Sequence, residues 1–278
     1  MTLPSPTRHS QLDRRSLALF FVLTICISLI AYIPLVQSGS LDALGGRALD
    51  LLMWAPGTAA VITTLMMFRS VAPLGLLGNK KTWVWLAVCL LLPIAYTLLF
   101  YLPLAGLGLV SLGTTNLNAT FFVYGLLVAS LPLALGEELG WRGFAAPVIG
   151  RVMGFKVGQA VLGFIWFLYH LPPLLLTDYG DSPHPLFGNF AFLVSVVALS
   201  YFLAMVRQRT DSVWPCALFH ASHNLFFSHL FDPMVFKQDV ATWFVGEQGI
   251  LLAIAMVALG IYGLRTSQKP ATELVVQG

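Results

Sequence analysis

The chain has 278 residues, of which 58% are hydrophobic and only 10% charged, with a net formal charge of +3 and a mean hydropathy of +0.82. A soluble domain carries about a quarter charged residues, so this composition describes a chain solvated by lipid and excludes an ordinary soluble enzyme. No basic cluster is dense enough for a nucleic-acid surface, so no nucleic-acid partner is expected.

A helix needs roughly 20 apolar residues to cross a hydrocarbon core of about 30 Å. Apolar runs of suitable length fall at 17–36, 51–68, 83–104, 119–139, 158–176, 187–206, 213–231 and 243–264. The expected fold is therefore all-α: a single membrane domain over residues 1–278 with about eight transmembrane helices. The third run carries Pro93 and Pro103, where a kink or tilt is expected. The fourth is expected to finish near Leu139, and the fifth to kink or stop at Pro172 and Pro173. Cys26, Cys89 and Cys216 lie far apart inside apolar runs and read as small hydrophobes.

Lys and Arg set the expected orientation. With eight spans, thirteen of the fifteen basic residues fall on the side of the chain termini, and only Arg47 and Lys237 on the other. Both termini are thus expected in the cytoplasm, with membrane lipid as the surrounding partner. The expected location is an integral protein of a bacterial inner membrane.

Ionisable residues inside spans are costly, at about 2.5–3.5 kcal/mol each on insertion scales, and read as functional by default. The fourth run ends in "LALGEELGWRGF", which carries Glu137, Glu138 and Arg142. Glu138 and Arg142 are at i,i+4 in the favourable order for a helical ion pair, so they read as supporting residues that hold the helix end. Glu137 is left without an obvious local partner. "GFIWFLYHLPP" brings His170, and "VWPCALFHASHNLFF" brings His220 and Asn224. His220 and Asn224 share one helix face, about 6 Å apart along the axis, with His223 bordering it. His229 reads as interfacial, and His9 and His184 are given no role. Glu137, His170, His220 and Asn224 are expected to meet at one depth, open to the cytoplasm.

A carboxylate beside an imidazole forms a general-base pair for activating water. His220 and Asn224 would then donate to the oxygen that becomes negative when water adds to an amide carbonyl. The same residues would equally suit a divalent metal such as zinc, bound by Glu137, His170 and His220 with water in an open position; residue types alone leave both readings standing. The HExxH helix of zinc peptidases and the GxSxG elbow are absent.

"EELGWR" resembles the EExxxR motif of the CPBP family, the CAAX-protease and bacteriocin-processing membrane proteins, which include the type II CAAX prenyl endopeptidases. "WFLYH" resembles its second motif, with Trp166 in place of the usual phenylalanine one turn before His170. "VWPCALFHASHN" resembles the third, in which a Trp-Pro pair leads to HxxxN, here His220 and Asn224. The motifs occur in the family's order across residues 119–231. The resemblance implies an intramembrane endopeptidase in which Glu137 and His170 activate water while His220 and Asn224 stabilise the oxyanion. It implies a peptide or protein substrate, prenylated in the eukaryotic relatives. Family members are described both as metalloproteases and as metal-free glutamate enzymes, and no cofactor follows from the resemblance. A non-catalytic immunity or binding protein and a transporter are the alternative functions, although no inverted repeat of the kind many transporters carry is visible.

Overall fold

A computed structural model describes residues 8–113, 119–180, 182–231 and 235–267. Every apolar run folds as a helix. The first three are α1 (Arg8–Ser38), α2 (Arg47–Phe68) and α3 (Thr82–Gly106). A long helical run follows, made of α4 (Ala119–Tyr124), a π-helical stretch Gly125–Ser130, α5 (Leu131–Glu138), a second π-helical stretch Leu139–Ala145 and α6 (Ala146–Met153). Then come α7 (Phe155–Leu176), α8 (Pro185–Thr210), α9 (Trp214–Ser222) continuing as π-helical His223–Phe231, and α10 (Ile250–Thr266). Among the described residues six helices are long and apolar enough to cross a membrane, and Ile250–Thr266 is a shorter apolar helix. The bundle is not purely helical: β1 (Val110–Leu112) and β2 (Val235–Lys237) pair antiparallel, with Ser111 opposite Phe236.

One expectation about a helix end is corrected. The fourth run does not finish near Leu139, because Trp141, Phe144 and Ala145 are buried and carry the helix onward to Met153. Glu137 therefore lies in the middle of a long run and not at its end. α7 finishes at Leu176, where the expected span 158–176 has it, with Pro172 and Pro173 inside the helix. Pro173 lacks the N–H that would bond the Tyr169 carbonyl. The Tyr32 hydroxyl from α1 donates to that carbonyl in its place. Pro93 likewise lies inside the unbroken α3, and its own carbonyl accepts the Thr97 hydroxyl at 2.7 Å.

Close contact between α2 and the long run fixes the depth of the acids. A methyl group added at Gly57 would stand 2.4 Å from the Gly136 carbonyl oxygen, and one at Gly140 2.4 Å from the Pro56 side chain. Small residues at these positions let the two backbones touch. Pro56 and Gly57 fall near the middle of α2, so Glu137 and Glu138 are held at mid-bundle.

The bundle has two distinct ends. At one, Asn79 N–H donates to the Thr210 carbonyl, Val213 N–H to Gly75, and Arg209 to Thr266, while Arg151 forms a two-pronged pair with Asp13. The first described helix starts and the last one finishes at this end. At the other, Asp178 N–H bonds the Gly39 carbonyl, Gln238 N–H bonds Leu109, and β1 pairs with β2. Ser40 and the Leu41 amide donate to the Asp178 carboxylate and hold it below the usual carboxylate range.

Candidate active site

The motif residues converge around one indole. Trp166 on α7 donates its Nε1–H to Glu137 Oε2 at 3.0 Å, and Trp141, one turn after Glu137, donates to the same oxygen at 3.2 Å. The Arg142 guanidinium carbon lies 3.8 Å over the Trp166 ring, a cation–π contact. The rings of His170 and His220 stand edge-on to Trp166, with centroids 5.7 and 6.0 Å away. Glu137 thus has partners, contrary to expectation. One of them, Trp141, sits at i+4 inside the same motif and was within reach of a sequence reading.

Glu138 and Arg142 form the expected pair, 2.9 Å from Oε1 to Nη1, and both side chains are buried. The pair does more than hold a helix. The same Oε1 lies 3.0 Å from His220 Nδ1, and Arg142 Nη2 reaches Ser200 Oγ at 3.4 Å. The α5 acid and the α9 histidine are therefore joined directly. Among the described residues Glu138 Oε2 and Arg142 Nε have no protein partner.

The two histidines have defined nitrogens. His170 Nδ1 lies 2.8 Å from the Trp166 carbonyl, which can only accept, so Nδ1 carries the proton and Nε2 is the basic atom. His220 Nδ1 donates to the Glu138 carboxylate, which leaves Nε2 for another partner.

A cavity of about 70 Å³ opens beside these rings, enough for a few water molecules. Trp166, His170, His220, His223 and Asn224 line it, together with Tyr179 and Glu247. Glu137 is not on its wall; Trp166 stands between. The lining residues reach from Trp166 and His220 at mid-bundle to Tyr179 and Glu247.

Glu247 and Tyr179 were missed in the sequence. Glu247 falls within the apolar run 243–264 and carried the same signal as the other intramembrane acids. Its Oε2 accepts the Tyr179 hydroxyl at 2.6 Å, its Oε1 accepts Ser228, and His223 Nε2 lies 3.9 Å away. The Tyr96 hydroxyl bonds the other nitrogen of His223. His184 stacks on Trp243 away from the cavity, and His229 is exposed.

The residues present do not fit a metal. Among the described residues no group of three or more His, Cys, Asp or Glu side chains stands close enough to hold an ion. Glu137, the acid of the expected metal set, instead faces two indole N–H donors.

Helices of membrane-spanning length around a histidine-lined cavity define an integral membrane protein with a candidate site inside the bundle. Residues 118–226 match the family described as Rce1-like, type II CAAX prenyl endopeptidase Rce1-like, so this stretch is similar to the CPBP family of CAAX proteases. The matched stretch contains Glu137, Glu138, Arg142, His170, His220 and Asn224. No curated protein matched the chain.

Proposed function

We propose that the chain is an intramembrane endopeptidase of the bacterial inner membrane that crosses it eight times, with both termini in the cytoplasm. Its substrate is a CAAX-type or related bacterial peptide. The observation that carries this reading is one cavity lined by His170, His220 and Asn224 from two helices, with Glu137 one indole away. α9 with its continuation and the short α10 supply the seventh and eighth crossings. Arg142 leaves the count of terminal-end charges because it is buried at mid-bundle, so thirteen becomes twelve against two. Lys269 lies outside the described residues.

Water in the cavity is deprotonated by the Glu137–His170 pair. His170 Nε2 takes the proton as the water oxygen bonds to the carbonyl carbon. The negative charge of Glu137, on the other side of the Trp166 indole, stabilises the imidazolium that forms. The carbonyl oxygen becomes an oxyanion and receives hydrogen bonds from the Asn224 amide and from His220 Nε2 when that nitrogen is protonated. The proton on His170 then passes to the leaving amine as the C–N bond breaks. Preorganised donors in a site shielded from water act at full strength without reorganising. No step needs a metal.

The test is incubation of purified protein with a farnesylated CAAX peptide and with an unprenylated peptide, read by mass spectrometry beside Glu137→Gln. Cleavage by wild type alone is expected. No cleavage of either peptide by wild type would overturn the peptidase reading.

A further inference from the structure

We propose that a groove between α1, α6 and α7 binds one anionic phospholipid of the surrounding bilayer, with an acyl chain in the groove and the phosphate on Arg14. Nothing in this depends on the peptidase reading.

The groove has a volume of about 450 Å³ and lies toward the end of the bundle where the first described helix starts. Leu17 and Phe21 of α1, Ile149 and Val152 of α6, and Val161 and Ile165 of α7 line it. Within each helix the two positions are three or four residues apart, so each pair lies on one face. Met153 at the groove and Val157 beside it are exposed, as are Phe164 and Leu168 further along α7. On a bundle solvated by lipid such a surface faces hydrocarbon. A space this large with apolar walls does not hold ordered water, which needs several polar partners. It takes an apolar chain.

The lining has a single polar side chain, Arg14. It stands one turn before Leu17, on the stripe that continues to Phe21. The stripe from Arg14 to Phe21 covers about 10 Å of helix axis. A charge at one end and hydrocarbon along the rest is the layout of a lipid and not of a compact solute.

Arg14 is exposed and makes no ion pair among the described residues. Its neighbour Asp13 is taken by both prongs of Arg151, at 2.8 and 2.9 Å. That pair ties α1 to α6 and leaves Arg14 without an acid. Arg15, and Lys156 on the first turn of α7, are exposed at the same end and are likewise unpaired among the described residues. A guanidinium takes phosphate through paired hydrogen bonds, and basic pockets between helices on the cytoplasmic side suit anionic headgroups. A zwitterionic lipid would bring its own ammonium beside these cations. The groove shares no lining residue with the histidine cavity, so its occupant is not held at the reacting bond.

Native mass spectrometry tests the site without needing activity. Protein purified in detergent and stripped of lipid is mixed with phosphatidylglycerol and phosphatidylcholine of the same acyl chains. Wild type is expected to retain one phosphatidylglycerol with a preference of about tenfold or more, as a charge-assisted hydrogen bond would give. Arg14→Gln should lose the preference and hold both lipids weakly. Val161→Trp, which fills the groove, should hold neither. Arg69→Gln, at an exposed arginine outside the groove, should behave as wild type. Equal retention of the two lipids by wild type would overturn the proposal. So would an equal loss in Arg69→Gln and Arg14→Gln, since that pattern belongs to diffuse attraction by a basic surface. One-for-one displacement of phosphatidylglycerol by a farnesylated peptide would overturn it in favour of a prenyl site. If Val161→Trp does not accumulate, the comparison of wild type, Arg14→Gln and Arg69→Gln decides.

Discussion

Glu138 Oε1 lies 2.9 Å from Arg142 Nη1 and 3.0 Å from His220 Nδ1, so one buried oxygen serves a cation and a cavity histidine at once. Removing one member of a buried ion pair leaves the other charge uncompensated and costs about 3–5 kcal/mol, far more than replacing both. Glu138→Gln and Arg142→Gln should therefore each lower thermal stability in detergent strongly. The double variant should melt closer to wild type than the sum of the two losses. Additive losses would show that the pair is not coupled. Glu138→Gln should also lower turnover in protein that remains folded, because His220 loses the acceptor that fixes its tautomer.

Glu137→Gln keeps the shape of the side chain and its carbonyl oxygen can still accept from Trp141 and Trp166. Its charge is gone, and general-base catalysis is worth about 10²–10⁴ in rate. Turnover should fall by at least about a hundredfold, with membrane insertion and elution profile unchanged. Near-normal turnover would remove Glu137 from the base.

Asn224 lines the cavity one turn beyond His220. Its proposed part is played only after the carbonyl oxygen becomes charged, so Asn224→Ala should lower kcat by about 10²–10³ and leave KM little changed. A rise in KM with kcat intact would instead make Asn224 a substrate-binding group.

Glu247 places a carboxylate on the cavity wall between Tyr179, Ser228 and His223. A buried charge-assisted hydrogen bond is worth roughly 1.5–3 kcal/mol, so wild type should favour peptides with a basic residue near the scissile bond by about tenfold or more. Glu247→Gln should erase that preference while leaving neutral peptides cut as before. Competition between lysine and norleucine versions of one peptide reads this directly. Equal use of the two peptides by wild type would refute a recognition role for Glu247.

What the sequence made legible were relationships within one helix. The Glu138–Arg142 pair and the shared face of His220 and Asn224 follow from helical spacing, and the structure has both on one turn. The bonds that build the site join helices instead: Trp166 to Glu137 across 29 residues, Tyr179 to Glu247 across 68, and His220 to Glu138 across 82. Periodicity says which residues share a face and is silent about which faces meet. Local rules do not reveal the donor that replaces the missing Pro173 N–H, because it comes from Tyr32 on another helix.

The contact between α2 and the long helical run should govern both folding and the depth of the acids. At Gly140 a methyl group would meet Pro56 backbone and side-chain atoms at 2.4–2.7 Å. Backbone cannot yield as a flexible side chain can, and overpacking of this kind costs about 1–3 kcal/mol. Gly140→Ala should lower thermal stability and also reduce turnover beyond the loss of folded protein, since any shift of this segment moves Glu137 and Glu138 together. Gly106→Ala is the matched control, because nothing stands within 4 Å of the added methyl. It should leave both stability and turnover close to wild type. If Gly140→Ala matched the control, the backbone contact would not be what holds the acids at mid-bundle.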